Sequence, residues 1–153
     1  MVRVDIFNDA LIGLLDKLTQ DDTTMLEVYN TLARRCDPYV PMAEGNLSQS
    51  VFAQVTPEYI QYGNESVPYA HYQYTGEVYG PNIPIIENGI IVGWFSPKNK
   101  PKHPTGRPIN YSTEMHPKAT SHWDQAMMRD EGEEFCKDVE NILTRRAQEL
   151  YGS

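Results

Sequence analysis

The chain has 153 residues, 40% of them hydrophobic, and a formal net charge of −8. This length is enough for one domain with its own core, and ten tyrosines, four phenylalanines and two tryptophans argue against global disorder. A pI near 4.9 excludes a broadly basic nucleic-acid binder.

The charge is uneven. Residues 1–92 carry −8 and residues 119–153 carry −4, whereas residues 93–118 carry +4 from Lys98, Lys100, Lys102, Arg107 and Lys118 against Glu114. A basic island between acidic stretches is either a solvated loop or one half of an electrostatic contact, with an acidic partner face or with passing DNA. The two cysteines, Cys36 and Cys136, show no metal-ligand spacing and are expected to be buried or half-buried free thiols. No signal peptide is expected, since the first nine residues carry three charges and no apolar core follows. The longest apolar run, near Gly89–Phe95, is far shorter than a membrane span.

In chain order, residues 3–19 place Val4, Phe7, Leu11, Leu14, Leu15 and Leu18 at helical steps. Thr24 and Glu27 have capping-box spacing, predicting a second helix with Leu26, Tyr29, Leu32, Ala33 and Cys36 inward, ended by Pro38 and Pro41. A loop is expected over 42–49, with Gly45 as its flexible point. Ser50–Thr56 alternates, with Val51, Ala53 and Val55 on one face, and Glu58–Tyr62 alternates after Pro57, predicting a hairpin or bent ribbon. Residues 62–65 read as a turn. Pro68 stands at the first position of a short helix through Tyr74, stopped by Gly76. Ile83–Ile91 and Val92–Phe95 predict strands, with Asn88-Gly89 as a hairpin turn. Lys98–Arg107 is polar, basic and proline-rich, and so predicts an exposed loop. Ser121–Asp124 carries a cap signature, and a helix should run to about Leu150. Trp123 and Met127 share one of its faces; Phe135, Val139, Ile142, Leu143, Ala147 and Leu150 share the next, with a kink near Asp130–Gly132. The expected architecture is α+β in a single domain over 1–153. Two N-terminal helices and a long C-terminal helix pack on a small antiparallel sheet, with a long Pro-rich basic loop inserted at about 78–118.

Motifs that carry chemistry are sparse. The sequence contains no GxGxxG, P-loop, GxSxG or HExxH. A zinc site built from His103, His116, His122 and an acid is conceivable, although their spacing is not that of paired zinc ligands. Glu44, Glu58 and Glu65 read as surface carboxylates. The compositional outlier is tyrosine: Tyr59, Tyr62, Tyr69, Tyr72, Tyr74 and Tyr79 fall within 21 positions. Part of that cluster must be packing, but rings with polar tips are also favoured at interfaces. Tyr69, Tyr72, Tyr74, Tyr79, Lys98, Lys100, Lys102 and Arg107 are therefore the interface candidates.

Three segments in order carry a resemblance. They are Tyr39–Ser50 (YVPMAEGNLSQS), Pro68–Gly76 (PYAHYQYTG) and His116–Asp124 (HPKATSHWD), the last leading into the terminal helix. Together they resemble the minor capsid or tail-completion proteins of long-tailed bacteriophages, the neck proteins at the head–tail junction. The resemblance covers residues 24 to about 145, and its most specific part is PYAHYQYTG. It implies an α+β structural protein with no enzymatic activity, cofactor or catalytic residue. It implies a homo-oligomeric ring, with a hexamer as the working expectation, that contacts head-completion or connector proteins and tail-tube or tail-terminator proteins. DNA would pass through the ring without sequence-specific binding. The protein would assemble in the host cytoplasm and reside in the virion neck, without a membrane. The segment 78–117 is richer in Pro and Lys than a minimal member of that family. A non-enzymatic protein-binding adaptor module is the alternative function.

Overall fold

The computed structural model describes residues 9–42, 45–81, 83–95 and 97–152, with side chains described from residue 13 onward in those ranges. Val4 and Phe7 of the predicted N-terminal stripe lie outside the described residues, as do the side chain of Leu11 and all of Glu44. The α+β class is what the chain adopts. The helices are α1 (Asp9–Thr19), α2 (Asp22–Cys36), α3 (Asn46–Ser50), α4 (Ala70–Thr75) and α5 (Trp123–Tyr151). The strands are β1 (Glu77–Gly80), β2 (Ile83–Glu87), β3 (Ile90–Phe95) and β4 (His103–Pro108). They form two antiparallel pairs, β1 with β4 and β2 with β3.

The N-cap of α2 lies three residues before the predicted one. Asp21 is the N-cap, and its carboxylate accepts from the Thr24 amide at 2.9 Å and the Thr24 hydroxyl at 2.6 Å. A carboxylate both satisfies a free helix amide and suits the positive end of the helix dipole. The inward face of α2 is Thr24, Thr31, Ala33 and Cys36, whereas Leu26 and Tyr29 are only half-buried.

The expected strand over Ser50–Thr56 is instead helical. Gly45, with φ of +85°, opens α3, and a 3-10 turn (Val51–Ala53) continues it. Ser50 decides the local geometry: its hydroxyl donates to the Leu47 carbonyl at 2.6 Å and accepts from the Gly63 amide at 2.9 Å. Of the expected apolar face only Val51 is buried. The anticipated ribbon shrinks to one bridge, Val55 opposite Ile60. Helix α4 begins at Ala70 rather than at Pro68, and Gly76 caps it as expected, with φ of +78°. A side chain at Gly76 would also meet Ser121, with Cβ 2.7 Å from the Ser121 Cβ, so glycine is required there twice over.

The Lys98–Arg107 stretch is not wholly a loop. Residues 103–108 form β4, although it contains Pro104 and Pro108. A two-stranded pair tolerates them because a missing donor can face outward. Side-chain bonds compensate for lost ladder bonds: the Thr105 hydroxyl donates to the Val78 carbonyl at 2.5 Å, and the Gly106 amide donates to Glu77 at 2.7 Å. The segment after β4 is laced back to the body. The Ile109 amide reaches the Gly76 carbonyl, the Thr120 amide reaches that of Tyr39, and the His122 amide reaches that of Tyr74.

The core lies where α2, its following 3-10 turn (Asp37–Tyr39), α3 and the start of α5 meet. Cys36, Tyr39, Val40, Leu47, Val67, Trp123, Ala126 and Met127 form it. Helix α5 begins after His122, whose φ is +46° and whose side chain makes no cap bond, so Ser121 does not cap it. The expected kink is present at Glu131, with φ −130° and ψ 17°. Its carboxylate accepts from the Tyr39 hydroxyl at 2.6 Å and from Arg35 at 3.1 Å. Arg35 also donates to Asp138 at 2.7 Å, and Arg146 reaches Asp21 at 3.1 Å. Arg145 pairs with Glu27. These contacts fasten the kink and the second half of the helix to α2 and its flanking residues. Beyond Ile142 the burial fades, and Leu150, expected inward, is exposed.

Candidate interaction surface

The candidate residues divide between the molecule's own packing and its surface. Tyr74 is built into the edge of the core. Its ring meets Trp123 edge-on at 5.0 Å, and its hydroxyl donates to Asp124 at 2.9 Å. Burial, then that hydrogen bond to a carboxylate, raises its hydroxyl above the usual tyrosine range. Tyr62 packs edge-on against the same tryptophan at 5.1 Å. Its hydroxyl is buried, finds no hydrogen-bond partner among the described residues, and has the Cys36 thiol as its polar neighbour. Cys36 itself is pushed up to about 12 by burial, so its thiol is inert. Cys136, expected to be at least half-buried, is exposed; both thiols are free.

Tyr69, Tyr72, Tyr79 and Lys102 converge. They line one open depression of about 330 Å³ with Gln73 and Ile109. The rings of Tyr72 and Tyr79 are 4.6 Å apart. The Lys102 ammonium donates to the Pro81 carbonyl at 3.3 Å. Lys98 and Lys100 are exposed on the turn between β3 and β4, and Arg107 is exposed on β4. The basic island is therefore spread over a turn and a strand.

The histidines do not converge. His116 lies against the body, its Nδ1 2.7 Å from the Val40 carbonyl oxygen and its Nε2 3.7 Å from Asp37. A carbonyl oxygen can only accept, so Nδ1 carries the proton. His103 lies on β4, and the His122 ring packs on Tyr74 at 4.7 Å. Among the described residues no group of three or more His, Cys, Asp or Glu side chains could hold a metal ion.

The β2–β3 hairpin was not among the sequence-selected sites. Asn88 and Gly89 turn it with φ of +51° and +79°, the turn expected of an Asn-Gly pair. Five isoleucines, Val92, Trp94 and Phe95 are all exposed on it, by 44% at the least and 67% at the most. Side chains alternate between faces along a strand, so both faces of the hairpin are apolar and open. With whole side chains of this size, these exposures leave roughly 800 Å² of surface over the two faces together, against the few hundred Å² usual for the largest patch of a monomer. The signal was legible as consecutive apolar pairs, Ile85-Ile86, Ile90-Ile91 and Trp94-Phe95, which no single covered face can satisfy.

A second apolar feature lies on the body. Leu32, Ile60, Tyr62, Ala70, Tyr74 and Asp124 line a mostly apolar groove of about 400 Å³ beside Trp123. No family model, curated protein or solved structure matches this chain.

Proposed function

We propose that this chain is a structural virion protein of a long-tailed bacteriophage, forming part of the neck or tail-completion ring that joins the tail to the head connector. The observation that carries this reading is the exposed apolar hairpin, which suits an assembly protein better than a solitary monomer. The three ordered motifs support it by the work they do in the fold. Tyr39, Leu47 and Ser50 of the first motif build the core and its nearest turn, Gly76 ends the second, and Trp123 anchors the third. A ring requires two different complementary patches on each subunit, and this chain offers an apolar hairpin, an apolar groove and basic residues on an exposed turn and strand. An acidic lumen would let DNA slide past, since its phosphates would be repelled. No helix among the described residues is long and apolar enough to cross a membrane, and the protein's place in this reading is the virion neck.

Size-exclusion chromatography with light scattering tests this directly, on the purified chain alone and with isolated tails or connectors. The expected result is co-elution with one of them. A chain that stays strictly monomeric and binds neither overturns the reading. Charge reversal of Lys98, Lys100, Lys102 and Arg107 together should lower virion yield while leaving the isolated fold intact. Unchanged yield would remove the basic island from the proposed contact.

A further inference from the structure

We infer that the β2–β3 hairpin of one copy docks into the Leu32–Ile60–Ala70 groove of a second copy, in a head-to-tail contact. This deepens the proposed ring by naming the two surfaces that join its subunits. Four observations lead to it.

The first is area. The hairpin leaves roughly 800 Å² open over its two faces, so burying one face supplies about half of one partner's share of a standard stable interface, and the groove walls and charged rim add to it. The second is that a two-stranded hairpin is at best marginal in water without a third layer, so this one needs cover. The third is the kind of cover it accepts. Pro84 removes a donor from β2, and Val92 bulges out of β3, because Ile85 pairs with Gly93 while Ile86 pairs with Ile91. Proline and a bulge blunt a strand edge against further pairing, so burial of side chains on a face is favoured over strand addition. Glu87, exposed beside the tip, would have to enter a lipid layer first, which disfavours a membrane as the cover.

The fourth is complementarity within one sequence. The groove is mostly apolar, opens beside the core, and carries His71 and Asp124 in its wall, with exposed Glu58 two residues from Ile60. The hairpin is apolar, and exposed Lys98 and Lys100 follow close after its second strand. An apolar arm with a basic base thus matches an apolar groove with an acidic rim. The two surfaces are different patches, so the contact is heterologous, and its repetition closes a ring when the rotation permits.

The test uses three variants of the full chain. Ile86→Asp/Trp94→Asp spoils the arm, and Ile60→Asp spoils the groove. Glu58→Lys serves as a second groove variant that leaves the groove walls intact. Each should melt close to the parent and weaken self-association by about tenfold or more in sedimentation velocity. Mixing the arm variant with a groove variant should restore a complex of two chains and no larger, because only one intact arm and one intact groove remain to meet. Folded variants that give no complex on mixing overturn the inference, since a symmetric hairpin–hairpin contact behaves that way. A parent chain that stays monomeric at high micromolar concentration also overturns it. So does a monomer that co-sediments with phosphatidylglycerol vesicles through its hairpin. If that monomer still binds tails or connectors, the neck reading stands and only the self-docking fails.

Discussion

The two tryptophans stand at opposite ends of the protein's physical range. Trp123 is 2% exposed, with Tyr62 and Tyr74 edge-on to its ring, whereas Trp94 is 56% exposed on an apolar hairpin. The body around Trp123 follows the ordinary logic of a core, with apolar side chains inside and charges fastening helices at the rim. The hairpin around Trp94 inverts that logic. Five isoleucines, a valine and two aromatics open to water add little to the stability of the monomer, so the contrast separates residues that fold the chain from residues that, in the proposed reading, meet a partner.

The largest effect should come from breaking the body. Trp123→Ala empties a site enclosed by Tyr62, Tyr74 and Met127, and should cost roughly 3–5 kcal/mol in urea unfolding. That is a large share of the stability of a domain this size. A loss below about 1 kcal/mol would mean that the aromatic cluster is not the centre of the fold.

This contrast was only partly legible in the sequence. Long periodic segments were clear: α1, α2 and α5 follow from apolar residues at helical steps, and the Glu131 kink follows from the slip in that stripe. Asn88-Gly89 announced its hairpin. What failed was local chemistry settled at a distance. Ser50 turns an alternating stretch into helix because its hydroxyl reaches Gly63, thirteen residues away. Strand β4 hides behind two prolines, which are accepted there because both strands of its pair are edges. Among the interface candidates, Tyr69, Tyr72, Tyr79 and Lys102 do converge, whereas Tyr74 is committed to the core edge. The hairpin itself was recognised as strands but not as a surface, because periodicity gives which residues share a face and not whether anything covers it.

A second and smaller effect sharpens the comparison through pH. Glu131 is held below the usual carboxylate range by the Tyr39 hydroxyl and then by Arg35. Asp138 is lowered by Arg35, and Asp21 by the Thr24 hydroxyl and amide and by Arg146. Groups lowered in the folded state stabilise it fully above the ordinary carboxylate pKa of about 4, and that stabilisation is lost as pH falls through their folded-state values. The melting temperature should therefore fall progressively between about pH 5 and about pH 2. Arg35→Ala should flatten part of that slope, since Glu131 and Asp138 both lose their hydrogen-bonded guanidinium, while Lys118 stays 3.9 Å from Glu131. These groups lie on α2, its cap and α5, so acid should loosen the body. A slope unchanged by Arg35→Ala would show that the rim pairs do not fasten α5 to α2.

The smallest effect on stability should come from the arm, and there the comparison is most exposed to failure. Trp94→Ser removes a large apolar side chain that already meets water, so urea unfolding should shift by no more than about 0.5 kcal/mol. Iodide should quench Trp94 and spare Trp123 in the dilute chain. As concentration rises, the quenched fraction should fall, because association covers Trp94. Trp94→Ser would then leave only shielded emission at every concentration. If Trp94→Ser instead destabilised the dilute chain as much as Trp123→Ala, the hairpin would be packed on its own body. The same change cannot be nearly neutral for the monomer and costly for the assembly unless the hairpin's cover comes from another chain.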